Sequence, residues 1–304
     1  MKDVTSQFGS LFRVLVLDQG MVAKTARKVD KVGYEQTRAF PELGYWPDIE
    51  QPKRFNEKVL NRMLVGKNEL FTTATDKIKS REYVQKKCSE KILPEVYHVT
   101  DDPETIPFEM LPESYLIKSS FGSGRIILID EDDTVNKKQI IRSCNKWLSK
   151  NDYTHKAVVR GHYNFDYDKL EKNKKVFVEE RLVGNSQDLP RDYKFYVFHG
   201  DVEYVHVDSD RFDKRTMRFF DREWNAMEFQ KGGNPLGPVI DKPPCYDRMI
   251  EIAERLGEEL DFIRVDLYHT RNNEVIFGEL TPNPGAGKSP FKPSRVDTEF
   301  GKLW

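Results

Sequence analysis

The sequence predicts an α+β fold of antiparallel sheets and amphipathic helices, preceded by a short, mostly helical N-terminal region. Three observations carry this expectation. Residues 262–285 read as a β-hairpin, apolar stripes at helical spacing occupy separate stretches, and the strand runs lack the β-α-β alternation of a doubly wound sheet. At 304 residues the chain is long enough for two or three packed subdomains. Its 12% aromatic content argues against disorder, and its net charge of −1 gives no electrostatic case for non-specific nucleic-acid binding. No apolar run approaches the ~18–20 residues that span a bilayer. The run at residues 11–17 is short, contains Arg13 and is followed by Asp18, so no secretory signal is expected.

Residues 11–29 fit one helix, followed by a loop holding Pro41, Gly44 and Pro47. Residues 55–65 carry Val59, Leu60, Met63 and Leu64 at a 3.6-residue period. Asp76 is placed to cap a helix over 77–87. Strands are expected at 96–99, 115–118 and 126–129, with a glycine-serine loop between the last two, and a helix over 136–148. Residues 151–175 are polar, aromatic and irregular, a segment suited to closing around a ligand. Further strands fall at 176–179, 193–198 and 202–208, the last two turning at His199-Gly200-Asp201, with strand-like sequence over 213–229. A Gly/Pro-rich loop leads to a helix over 246–260, then the hairpin, then a loose basic tail.

Cys88, Cys144 and Cys245 are odd in number and widely separated, which suits neither a disulfide framework nor a zinc site. Free thiols imply a reducing compartment, so a cytoplasmic location is expected. The six histidines likewise lack ligand spacing.

The hairpin bears the most chemistry. A turn at Asn272-Asn273 would place Asp266 opposite Glu279 and Arg264 opposite Thr281. Alternation then sends Ile263, Val265, Leu267, Ile276, Gly278 and Leu280 to one face, and Arg264, Asp266, Tyr268, Phe277, Glu279 and Thr281 to the other. Two carboxylates directly opposite repel, which suggests a cation between them, and hard oxygen ligands suit Mg²⁺. A surface hairpin with solvated acids is the alternative. Lys118 stands at a strand end before Ser119, Ser120, Phe121, Gly122, Ser123 and Gly124, a loop whose amides can close over phosphates. A plain hairpin loop would look similar. Residues 285–289 lack the first glycine of a P-loop, and Pro290 and Pro293 oppose a following helix. Lys77 and Lys194 are further lysines on structured elements, and Glu179-Glu180 closes an apolar strand.

The order of these pieces, ending in Arg264-Val265-Asp266 and Glu279-Leu280-Thr281, resembles the ATP-grasp superfamily. More narrowly, the phrases at 54–58, 75–77, 81–83, 189–195, 208–212 and 264–268 resemble the TupA-like ATP-grasp family, associated with teichuronopeptide and other surface-polysaccharide biosynthesis. The resemblance covers about residues 50–300. It implies two α+β subdomains gripping ATP between antiparallel sheets: a helical region at 1–74, a first subdomain at 75–178 with the glycine-rich lid, and a second at 179–304 with the metal site.

The resemblance also implies roles. Lys77 and Lys118 would contact ATP phosphates beneath the lid Ser119, Ser120, Gly122, Ser123 and Gly124. Glu179, Glu180 and Leu182 would form the adenine hinge, and Lys194 would reach the terminal phosphate. Asp266 and Glu279 would hold Mg²⁺, with Mn²⁺ as a substitute, and Arg264 would stabilise the developing acyl phosphate. Many ATP-grasp enzymes have Asn two residues after the metal glutamate; Thr281 stands there, with Asn283 two further on. Arg211, Arg215 and Arg218 are candidates for an anionic substrate. The implied reaction is ATP-dependent ligation of a small-molecule carboxylate and an amine, linked to a nucleotide sugar or glycan. A kinase, a nucleotide-binding scaffold and a glycosyltransferase using Asp208-Ser209-Asp210 are the alternatives.

Overall fold

The computed structural model describes residues 30–66, 68–89, 91–122, 124–149, 173–184, 190–209 and 215–304. The expected helix at 11–29, most of the 151–175 segment, Ser123 and Arg211 lie outside them. The chain divides into two compact units.

The larger unit spans residues 67–229 and 234–282 and holds two sheets. Strands β1 (Val96–Thr100), β2 (Tyr115–Ser119), β3 (Ile126–Ile129) and β4 (Val176–Glu180) form an antiparallel sheet in the order β1-β4-β2-β3. Its inner face (Tyr115, Ile117, Val176 and Val178) packs with Ile140 and Cys144 of the Lys137–Leu148 helix. Strands β5 (Arg191–Phe198), β6 (Asp201–Ser209), β7 (Thr216–Asp221) and β8 (Ala226–Met227) belong to a six-stranded sheet, with β9 (Gln230–Lys231) lying outside it. The hairpin β10 (Phe262–His269) and β11 (Val275–Thr281) completes the order β11-β10-β5-β6-β7-β8. Phe195, Val197, Val205, Ile263, Val265 and Leu267 line one face, against Met249, Ile250, Ala253 and Leu256 of the Tyr246–Gly257 helix. That helix repeats apolar residues at i, i+3/i+4 and i+7, the spacing that turns one stripe toward a sheet.

The hairpin differs from its expectation in one respect. Asp266 does stand opposite Glu279 and Arg264 opposite Thr281, but the register shifts between Asp266 and Leu267, which pairs with Phe277. The turn is longer than two residues: Asn273 N–H donates to the Thr270 carbonyl, Thr270 N–H donates to Glu274, and Asn273 takes the left-handed φ of 59°. Gly278 is the extra residue of the resulting bulge, where a Cβ would lie 3.0 Å from the Asp266 carbonyl oxygen. Beyond the bulge the faces exchange, so Phe277 rather than Ile276 joins the core cluster.

The smaller unit comprises the chain up to Gly66 together with residues 230–233 and 283–304. Two expectations are corrected here. A helix, Lys31–Leu43, accommodates Pro41 where a loop was expected, and ends at Gly44 with φ 76°. The tail is ordered as β12 (Phe291–Lys292), which pairs with β9, and a helix Arg295–Leu303. Apolar spacing explains the second: Val296 and Phe300 lie four apart and are both buried, and Phe300 packs on Phe55 and Phe291. Buried Asp297 accepts hydrogen bonds from the Tyr45 hydroxyl at 2.6 Å and the Asn56 amide at 3.0 Å. No helix among the described residues is long and apolar enough to cross a membrane.

Candidate functional site

The outer face of the six-stranded sheet carries the charges. Register puts Lys194 of β5 opposite both Asp266 of β10 and His206 of β6, and Glu279 of β11 beyond Asp266. One row across the sheet therefore reads Glu279, Asp266, Lys194, His206. Asp266 is 2% exposed. Arg264 grips it with both fork nitrogens at 2.7 Å, and Lys194 Nζ lies 3.2 Å from its Oδ2. Burial alone would raise the Asp266 pKa, but Arg264 and Lys194 outweigh it and hold the carboxyl below its usual range. Arg264 Nη2 also donates to Glu279 Oε1 at 3.2 Å and Thr281 Oγ1 at 3.0 Å. Thr281 thus ties the arginine to the glutamate, and its hydroxyl donates to Glu279 Oε1 at 3.1 Å.

Two acids that sequence reasoning left out of the site lie on the same face. Lys194 Nζ pairs with Asp192 and lies 3.8 Å from Asp208. Asp208 accepts both nitrogens of the Arg215 fork, at 3.0 and 2.9 Å, and His206 Nε2 at 3.0 Å. The signal for these acids was available: Asp192 and Lys194, like His206 and Asp208, are two apart on strands and so share a face. Arg218 turns elsewhere, donating to the Gly237 carbonyl and Glu228.

The four-stranded sheet brings the other group. Lys118 on β2 pairs with Glu179 on β4, whose second oxygen lies 3.6 Å from Arg81 Nη1. Asp76 caps the Lys77–Lys87 helix by accepting from the Ile78 and Lys79 amides. The Lys77 amide donates to the Ser120 carbonyl and its Nζ to the Gly122 carbonyl at 2.6 Å. The cap takes up the first helical N–H groups, so this helix start presents its positive charge through Lys77. Ser120 is fully buried and also exchanges hydrogen bonds with Lys175. Ser119 is buried beside it, and Gly122 and Gly124 hold left-handed φ of 79° and 71°. Glu180 accepts from the Glu95 amide at 3.1 Å, and Leu182 follows the strand half-buried.

Lys77 joins the two sheets. Burial lowers its pKa, Glu279 opposes that shift, and the charges of Lys118, Arg125 and Glu179 act on it as well. The carboxylate of Glu279 and the lysine at the start of the Lys77–Lys87 helix therefore feel one another's charge. Asn283 begins the Pro284–Gly287 turn and belongs to the other unit.

Among the described residues no group of three or more His, Cys, Asp or Glu is arranged to hold a metal by itself. Asp266 and Glu279 offer two hard oxygen ligands. That donor set fits Mg²⁺, which is held by one or two carboxylates with substrate phosphates completing its shell.

A family model described as TupA-like ATPgrasp matches residues 57–304. No curated protein matches. Solved structures similar to the chain include D-alanine–D-alanine ligase from Bacillus anthracis, 15% identical with a TM-score of 0.47, covering 76% of this chain and 65% of that one. The D-alanine–D-alanine ligase from Coxiella burnetii is 14% identical, TM-score 0.44, covering 76% and 56%. N5-carboxyaminoimidazole ribonucleotide synthetase from Thermotoga maritima is 13% identical, TM-score 0.40, covering 69% and 42%. The chain spans roughly half the length of these structures. With its α+β architecture and a family match over residues 57–304, the chain belongs to the TupA-like ATP-grasp family.

Proposed function

We propose that the protein is an ATP-dependent carboxylate–amine ligase that activates a sugar acid or amino acid as an acyl phosphate and joins it to an amine in surface-glycan assembly. The observation that carries this reading is the row Glu279, Asp266 and Lys194 across one face of the six-stranded sheet, two carboxylates beside a lysine. The glycan role rests on the family resemblance, and the cytoplasmic location on the free cysteines.

In this reading Lys77, Lys118 and Lys194 bind the phosphates, and Asp266 and Glu279 hold Mg²⁺. The ion would neutralise charge on the phosphate oxygens during transfer to the carboxylate. Arg264 already lies between the two acids and donates to both, so a cation bound there would compete with it for their oxygens. A guanidinium freed in this way is a donor for charge building on the acyl phosphate. Glu179, Glu180 and Leu182 form the nucleotide's hinge, and Ser119, Ser120, Gly122, Ser123 and Gly124 cover its phosphates. Ser120 fixes the root of that cover through its bonds to Lys77 and Lys175. Arg215, and Arg211 outside the described residues, are retained for an anionic substrate, whereas the bonds of Arg218 to Gly237 favour a structural role.

The test is ADP release screened across uronic acids, nucleotide sugars and amino acids with mass spectrometry of the products. A ligase gives an amide that contains both partners. ADP release stimulated by alcohols, with a phosphorylated product and no amide, would establish a kinase instead.

A further inference from the structure

His206 stands on the proposed reaction face, directly opposite Lys194 and one strand farther than Lys194 from Asp266. Its ring stacks on Phe219 of β7 with centroids 4.8 Å apart. It is 4% exposed. Nε2 lies 3.0 Å from Asp208 Oδ1, and Asp208 is gripped by Arg215 and approached by Lys194. An ionised carboxylate only accepts, so Nε2 carries the proton. Nδ1 is then a bare acceptor, buried, with no hydrogen-bond partner among the described residues. Burial pushes the imidazole pKa down to about 4, against the pull of Asp208; the cations Lys194 of β5 and Arg264 of β10 push the same way as burial. The ring therefore stays neutral near pH 7.

A buried polar atom without a partner costs roughly 1–3 kcal/mol, so its retention calls for a ligand donor. Phosphate and carboxylate oxygens are acceptors and cannot supply one. Of the groups that meet at a ligase's reacting phosphate, the attacking amine brings N–H, and the KM for the acid tells it apart from donors on the acid itself. We infer that His206 Nδ1 is the hydrogen-bond acceptor that orients the attacking amine, with Asp208 fixing the tautomer. This rests on the ligase reading above.

Hydroxylamine serves as the amine probe, with MgATP and the panel of acids, and hydroxamate as the product read. The variant is His206→Gln, whose amide reaches the Nε2 position, keeps a donor for Asp208 and removes the Nδ1 acceptor. His206→Gln should raise the KM for hydroxylamine about tenfold, the loss of one neutral hydrogen bond, with the KM values for ATP and acid unchanged. An unaltered hydroxylamine KM overturns the inference. So does a uniform fall in all parameters with a lowered melting temperature, which would mark a purely structural histidine. If the wild-type protein forms no hydroxamate with any acid, the ligase reading itself fails and takes this inference with it.

Discussion

The sheets of the larger unit and the start of the Lys77–Lys87 helix hold charge in different ways. On the six-stranded sheet Asp266 is shared by Arg264 and Lys194, and Asp208 by Arg215 and Lys194, with both acids buried. On the four-stranded sheet buried Glu179 is likewise shared, by Lys118 and Arg81, whereas Lys77, at the start of the Lys77–Lys87 helix, ends on a backbone carbonyl. A closed network of buried ions is pre-organised, and removing one member strands its partners. A lysine resting on a carbonyl gains from exchanging that acceptor for an ionised phosphate. The larger sheet thus fixes geometry, while the start of the Lys77–Lys87 helix presents charge that a ligand can recruit.

The contrast is tested most severely at Asp266. Asp266→Ala should abolish ADP release and lower unfolding free energy by about 3–5 kcal/mol, because Arg264 and Lys194 lose their buried partner. Denaturant titration reads the stability loss; a loss below about 1 kcal/mol would mean the network is not a unit.

Acid should weaken the same sheet. The His206 pKa of about 4 lies below the ordinary ~6.5, so the unfolded chain binds a proton that the folded one refuses. Stability from this group is present above pH ~6.5 and lost as pH falls toward 4, on the order of 3 kcal/mol in total. Melting curves of wild type and His206→Gln between pH 7 and 4.5 check this, since the variant should lose that slope.

At the start of the Lys77–Lys87 helix the pattern should invert. Lys77→Met should weaken ATP binding about 100-fold, comparable to the loss of a strong charge-assisted contact, yet leave the melting temperature unchanged or higher. Burial disfavours the Lys77 charge in the free protein, so its removal relieves a cost. A marked loss of stability would erase that distinction.

The smallest effect is expected at the bulge. Gly278→Ala would press a methyl against the Asp266 carbonyl and the Tyr268 ring at 3.0 Å, costing about 1 kcal/mol. It would also disturb the alignment of Asp266 with Glu279, visible as weaker Mg²⁺ dependence of ATP binding.

Much of this arrangement was legible in the chain. Period-two alternation and the sum of paired positions located Arg264, Asp266, Glu279 and Thr281, because the longer turn shifts the pairing by one residue and the bulge at Gly278 shifts it back before Asp266. The same logic failed for Ile276 and Phe277, since no local residue pattern distinguishes a two-residue loop from a longer turn offset by a bulge at Gly278. Spacing within β5 and β6 already puts Asp192 on the face of Lys194 and His206 on the face of Asp208; that these faces join the face of Asp266 depends on β5 and β6 lying beside β10, a long-range pairing that spacing within one strand does not encode. The C-terminal helix was hidden by a basic, proline-flanked stretch whose two apolar anchors, Val296 and Phe300, are too few to show a period.

Glu279 and Asp266 are proposed to make a cation site that serves Lys77 and Lys118. Titration calorimetry of ATP with and without Mg²⁺, on wild type and Glu279→Gln, tests it most directly, because Glu279 is 46% exposed at its side chain and can be neutralised without collapsing the core. Mg²⁺ should enhance ATP binding in the wild type, and the variant should lose that enhancement. Equal ATP affinity with and without Mg²⁺, or an unchanged enhancement in Glu279→Gln, would contradict it.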